Sequence, residues 1–201
     1  MKRIITIIAL GLVAAMMSAQ TPKNVRYVFT EASDLNLIGK IIEGTPNPYH
    51  RVDTVKYKGF TKSENRQVRC PNGLAVLFKT NSTTISVKCE YGWKAVPMTS
   101  TMVTIRGFDL YIKDGKEWKY AAAGVNKEEK ENENLVLIRN MDGKEKECML
   151  YLPIYSELHS LQIGVQEGAY IQALESPCRH RIGIFGSSFT HGASTTRSGM
   201  T

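Results

Sequence analysis

From residue 22 onward the hydrophobic and polar positions of this 201-residue chain alternate in short runs, broken by glycine, asparagine, aspartate or proline. Successive side chains of a strand point to opposite faces, so this two-residue period marks β-structure with one buried face. In "TISVKCE", Ile85, Val87 and Cys89 fall on one face and Ser86, Lys88 and Glu90 on the other. "LAVLFKT" precedes it across Asn81 to Thr83, which predicts an antiparallel pair of strands, residues 74–80 and 84–89. A hairpin about Ser82 would set Cys89 opposite residue 75.

Two further turn signals repeat the device. Asp114-Gly115 predicts a two-residue hairpin between a run ending at Lys113 and one starting at Lys116, and Asp142-Gly143 predicts another within "LVLIRNMDGKEKECMLYLP". Lys144 and Lys146 share a face with Cys148, Leu150 and Leu152, so the charged end should project past the core. Other strands are expected at residues 24–30, 35–42, 102–105, 161–165 and 169–174. About ten short strands with turn signals roughly every 8 to 12 residues, and no convincing helical period, predict a mainly β fold, an antiparallel β-sandwich of jelly-roll type. The mixed-charge run "NKEEKENEN", residues 126–134, reads as a solvated loop without a binding role.

The two ends differ in kind. Lys2 and Arg3 precede an uncharged run over residues 4–17, too short to span a bilayer, which reads as a secretory signal peptide cleaved after Ala19, with Ala15 the fallback. No cysteine follows that run, so a lipid anchor is not expected. The mature protein is expected to be periplasmic or secreted, off the membrane once the signal is removed. At the other end "ESPC", residues 175–178, marks a boundary, and residues 181–185 then read as the first strand of a parallel α/β sheet running into Gly186. Three units result: a signal at 1–19, a sandwich at 22–176 and the start of an incomplete α/β domain at 179–201, the last expected to be poorly anchored.

Composition changes the picture little. With 42% hydrophobic and 22% charged residues the chain is globular, and its formal charge of +7 falls to about +5 without Lys2 and Arg3. The excess is dispersed and not interleaved with aromatics, so nucleic acid is not an expected partner. Cys70, Cys89, Cys148 and Cys178 allow three complete disulfide pairings that spacing leaves open. No CxxC pair occurs and no histidine stands near two cysteines, so neither a zinc site nor another metal or cofactor is expected.

Candidate chemistry lies in "IFGSSFTHG". A serine hydroxyl is a weak nucleophile that needs a base, a group orienting the base and donors aimed at the oxyanion; a strand-to-helix turn exposes the hydroxyl and turns backbone N–H groups toward it. Ser188, after Gly186, occupies such a turn, although the G-x-S-x-G elbow is not satisfied, since Thr190 stands at its last glycine. His191 would share a helical face with Ser188 and is rejected as its base, because a base must approach from across the site. His50, His159 and His180 have no recognisable partners. Asp109 and Tyr111, both opposed by Leu110, read as a buried polar contact beside a turn; Trp93, Trp118 and Tyr120 could line a sugar-binding face, against which the two tryptophans are expected in the core.

"IGIFGSSFTHGASTTRSGM" resembles the first conserved block of the SGNH (GDSL-type) hydrolases, especially a branch that runs Y-G-[ST]-S-I-T-x-G and then R-P-G-M. "RGFDLYI" carries the G-x-D-L-Y pattern that names the N-terminal β-sandwich domain of that branch, and "LYLPIYSELHSLQIGV" and "LAVLFKTNSTTISVK" are similar to it as well. The resemblance implies that Ser188 is the nucleophile, that its own N–H is one oxyanion donor, and that Ser187 is structural. Phe189 for Ile or Leu and Ser198 for the proline are departures that leave the nucleophile untouched. The family's later blocks supply an oxyanion glycine and asparagine and a D-x-x-H base; none follows Ser188 here, so a truncated product lacking its C-terminal catalytic domain is expected. The activity implied is an exported esterase removing acyl groups, acetyl above all, from carbohydrate or another ester. The alternative is a non-catalytic sandwich that binds carbohydrate or packs on a partner domain.

Overall fold

The computed structural model describes residues 24–96, 99–177, 180 and 182–200. The expected signal peptide and its cleavage sites, Cys178 and Arg181 lie outside the described residues. Among the described residues ten strands form two antiparallel sheets: β1 (Tyr27–Glu31), β2 (Asn36–Ile38), β3 (Ala75–Thr80), β4 (Ile85–Lys94), β5 (Phe108–Asp114), β6 (Glu117–Gly124), β7 (Leu135–Ile138), β8 (Lys146–Tyr151), β9 (Ser156–Gln166) and β10 (Ile171–Ala173). One sheet has the order β1-β9-β4-β7; the other runs β10-β3-β8-β5-β6, with β2 also on β3. The strands β2 and β10 divide the edge of β3 between them, Asn36 to Ile38 facing Leu77 to Ala75 and Ile171 to Ala173 facing Thr80 to Phe78.

The core lies between the sheets. Leu74, Val76, Phe78, Ile85, Val87, Phe108, Leu110, Leu150, Leu152, Leu158, Leu161 and Ile163 are buried in one cluster, as the alternation in β3, β4, β5 and β8 requires. Cys89 and Cys148 belong to the same cluster, and with Cys70 they are buried free thiols. They are packed as small apolar groups, and burial pushes their pKa values upward, Cys89 to about 11 and the other two to about 12.

Two of the three expected hairpins are instead arches between sheets. β3 pairs with β8, whereas β4 pairs with β9 and β7, so residues 81–84 carry the chain from one sheet to the other. Ser82, fully buried there, donates to Thr84 O at 2.5 Å and accepts from Gln166 N at 3.2 Å, which satisfies the backbone of a turn that water cannot reach. The Asp142-Gly143 turn likewise joins β7 in one sheet to β8 in the other. A strand facing the core shows the same alternation whether its successor lies beside it or across from it, so the pattern could not separate the two. The β5–β6 hairpin is present, shifted by one residue: Asp114 pairs with Glu117, leaving Gly115, at φ 61°, and Lys116 as the loop.

Residues 102–105, expected as a strand, form a helix, α2 (Met102–Arg106), after α1 (Lys62–Val68). Thr101 caps α2, accepting from Thr104 N at 3.1 Å, and that cap outweighs the β-branched run inside. The helix α1 carries a capping box: Glu64 N donates to Thr61 Oγ1 at 3.3 Å and Thr61 N to Glu64 Oε2 at 2.7 Å. The expected strand at 35–42 contracts to Asn36–Ile38, and that at 161–165 extends to Ser156–Gln166. The acidic run is not wholly solvated, for Glu131 reaches inward to Lys94 at 2.5 Å and to the buried Arg106 at 3.4 Å. Residues 182–186 are not a strand, and Ile182, Ile184 and Phe185 are largely exposed. A parallel strand needs pairing strands beside it and cover on both faces, and among the described residues no strand pairs with this segment.

Leu110→Ala, which opens a cavity at the centre of the core, should lower the unfolding free energy by about 2 to 5 kcal/mol. Val28→Ala, at the 51% exposed sheet edge, should cost no more than about 0.5 kcal/mol. Urea midpoints measure both, and equal losses would contradict this core.

Candidate active site

The serine turn is built around a close approach. A Cβ on Gly186 would lie 2.8 Å from Thr190 Cβ, so Thr190, where the elbow pattern has a glycine, packs back over Gly186 and admits no side chain there. Ser188 opens α3 (Ser188–His191), and the helix ends at Gly192, left-handed at φ 95°, with Ala193 N donating to Ser188 O at 2.9 Å. Ser188 is exposed at the N-terminal end of this single turn. The first N–H groups of a helix have no partner within it, so the Ser188 N–H can face a developing oxyanion.

The imidazole of His191 points the other way. Its Nε2 sits 3.1 Å from Ile154 O, and its ring stacks on Tyr155 at 4.6 Å with a 20° interplanar angle. Burial, with the nearby Arg51 cation, pushes it down to about 4. It is a packing group, not the base for Ser188. His50 and His159, in contrast, share a partner that the sequence did not suggest: the buried carboxylate of Glu157, whose Oε1 lies 2.9 Å from His50 Nε2, 3.6 Å from Arg69 Nε and 4.0 Å from His159 Nε2. Trp93 N donates to Glu157 Oε2 at 3.1 Å. Desolvation, though opposed by Glu157, lowers the pKa of His50.

Asp109 and Tyr111 occupy the outer face of β5, while Phe108 and Leu110 face the core. Asp109 is 0% exposed; its Oδ2 accepts from Gly199 N at 2.9 Å and lies 3.1 Å from Arg197 Nε. Burial raises its pKa, opposed by that N–H and by the Arg197 cation. The ring of Tyr111 packs edge-on against Tyr120 and Tyr151, and its hydroxyl accepts from Arg197 and donates to Gly199 O, each at 3.4 Å. The Arg197 guanidinium lies 4.3 Å from the Tyr120 ring centroid. A Cβ on Gly199 would fall 2.5 Å from Tyr111 Cε2 and 2.8 Å from Asp109 Oδ2, and one on Gly107 would fall 2.7 Å from Val103 Cα. Every named letter of G-x-D-L-Y thus has a physical reason, and its polar members meet the arginine and glycine of R-S-G-M.

The segment between is tied down too. Thr101 donates to Thr196 O at 2.8 Å and Thr104 to Thr195 O at 2.7 Å. Residues 182–190 are exposed but residues 191–199 are docked, so poor anchoring describes only the first part of the terminal unit. Trp93, on β4, and Trp118, on β6, are half-buried rather than core, and Tyr120, also on β6, is exposed; with Trp93 on the other sheet the three form no common platform.

Residues 25–171 match the family model described as GxDLY, the N-terminus of the SGNH hydrolase-type esterases. Among solved structures the chain is similar to a presumed GDSL-like lipase from Bacteroides ovatus ATCC 8483, with 38% identity and a TM-score of 0.82 over 87% of this chain and 51% of that one. The chain therefore spans about half the length of that structure. A salicylyl acyltransferase from a tetracycline biosynthetic pathway aligns at 18% identity and a TM-score of 0.48, over 78% of this chain and 43% of that one. No curated protein matches.

The packing of His191 has a consequence in pH. Its docked value of about 4 lies below the ordinary 6.5, so undocking takes up a proton; docking is strongest above the ordinary value, weakens as pH falls through that window and levels off below it. The ring protons of His191 should titrate near pH 4 by NMR, and a midpoint near 6.5 would contradict the burial.

Proposed function

Because the chain belongs to the GxDLY family of domains that stand at the N-terminus of SGNH hydrolase-type esterases, we propose that it forms the sandwich and nucleophile turn of an exported serine ester hydrolase acting on acylated carbohydrate, with acetyl as the group removed. The observation that carries the reading is the meeting of its two family motifs, with Asp109 and Tyr111 on Arg197 and Gly199 a few residues beyond an exposed Ser188.

In this reading the Ser188 hydroxyl attacks the ester carbonyl carbon and passes its proton to a base. The Ser188 N–H at the start of α3 receives the developing oxyanion. Collapse of the tetrahedral intermediate breaks the bond to the alcohol, which leaves with the proton, and water then releases the acid from the serine. The base, its orienting aspartate and the remaining oxyanion donors are those of the family's later blocks, which the coding sequence beyond codon 201 should supply. His191 is held on Ile154 and His50 on Glu157, so neither of these imidazoles is free to take the Ser188 proton.

Sequencing past codon 201 should show G-x-N-D and D-x-x-H blocks, and the complete protein should release acetate from acetylated xylan and from 4-nitrophenyl acetate. Ser188→Ala should reduce that turnover by about 10⁴-fold or more, and the 201-residue chain should show no Ser188-dependent turnover. Hydrolysis by the complete protein that survives Ser188→Ala unchanged would overturn the reading and leave a binding or packing module.

A further inference from the structure

Asp109 is a costly residue for a sandwich to keep. It sits on a strand whose inward neighbours already serve the core, and a buried carboxylate is tolerated only where charges and donors meet it. Both groups that meet it, Gly199 N–H and the Arg197 guanidinium, lie beyond the serine turn rather than within the sandwich. Tyr111 turns its hydroxyl to the same two residues. The next anchors toward the serine are the Thr195 and Thr196 carbonyls, held by the cap and body of α2, and then the His191 ring on Tyr155. His191 belongs to α3 itself, whose other end is Ser188. At about 1.5 Å per residue, the helix gives Ser188 a lever of only about 5 Å from the last fixed point.

We propose that Asp109 and Tyr111 are positioning residues: by fixing the Arg197–Gly199 turn in one register on the outer face of β5, they set the position of Ser188 relative to the groups that activate it. This rests on the esterase reading above. The chemistry suits the task, since an apolar contact would let the segment slide, whereas a charge pair, a backbone N–H and a glycine with no room for a side chain accept one placement. A misplacement of about 1 Å at a nucleophile can cost about 100-fold in rate.

Two arms separate this idea from the reading it rests on. In the 201-residue chain, Asp109→Ala should raise amide exchange at Gly199 and across residues 191–196 at least about tenfold, with the β8 and β9 amides unchanged, because the inward face of β5 is untouched. In the complete protein, with active sites counted by a fluorophosphonate probe, Asp109→Ala should lower kcat per labelled site about 10- to 100-fold while changing KM less than about twofold. Tyr111→Phe, which keeps the ring packing, should give a smaller loss in the same direction. Unchanged Gly199 protection would overturn the clamp, and lost protection with unchanged kcat would overturn its positioning role. A wild-type protein without Ser188-dependent hydrolysis would sink the esterase reading alone, leaving the exchange result to judge the clamp.

Discussion

The carboxylate of Asp109, buried on the outer face of β5 between the Gly199 N–H and the Arg197 guanidinium, anchors to the sandwich the far end of the segment that follows the serine turn. It exists because a strand has two faces. Phe108 and Leu110 bind β5 into the core, which fixes its position to within the tolerance of a packed interior, and Asp109 and Tyr111 inherit that precision on the other side. The rigidity comes from apolar burial and the specificity from polar pairing. Neither alone would hold a loosely structured segment in one place.

That division explains the spacing of small residues around the contact. Gly107 lets the chain pass from α2 into β5 against the Val103 backbone, and Gly199 lets the arriving turn sit directly on Tyr111 and Asp109. A side chain at 107 would push two backbones apart, and one at 199 would lift the turn off the Asp109 carboxylate that its N–H donates to. Gly186 is different in kind: its space is taken by Thr190 of the same turn, so it shapes the serine loop rather than its docking.

How far the sequence could be read follows from which forces are local. Alternation in "TISVKCE" and "LYLP" identified inward residues correctly, because burial of one strand face is a local property. Whether β3 is followed by a hairpin or an arch depends on strands brought in from residues 146–151 and 156–166, which nothing in the turn at residues 81–83 records. The helix at Met102–Arg106 was legible only through Thr101 and Gly107, its cap and stop, and the β-branched residues between them argue the other way. At the site, Asp109, Tyr111, Ser188 and Arg197 all stand out by motif, but that Arg197 pairs with Asp109 depends on residues far apart in sequence. The Glu157 cluster was invisible for the same reason: a lone glutamate in "SELHS" looks like a surface residue until β9 carries it beneath His50 and Arg69.

The order of units along the chain is consistent with this mechanics. A sandwich of long-range pairings is slow to form but stiff once formed, so it makes a good reference surface for a turn that lacks a sheet of its own among the described residues. The exposed Ile182, Ile184 and Phe185 lie just before Ser188, where apolar surface would be costly in an isolated chain, and the docked segment from His191 to Gly199 lies just after it. Ser188 thus stands between a stretch that seeks cover and a stretch already held. On one side the segment that follows it is tied to the sandwich by hydrogen bonds, and on the other three apolar side chains stand exposed. In the esterase reading, the polar contacts of the docked segment are what fix the register of Ser188.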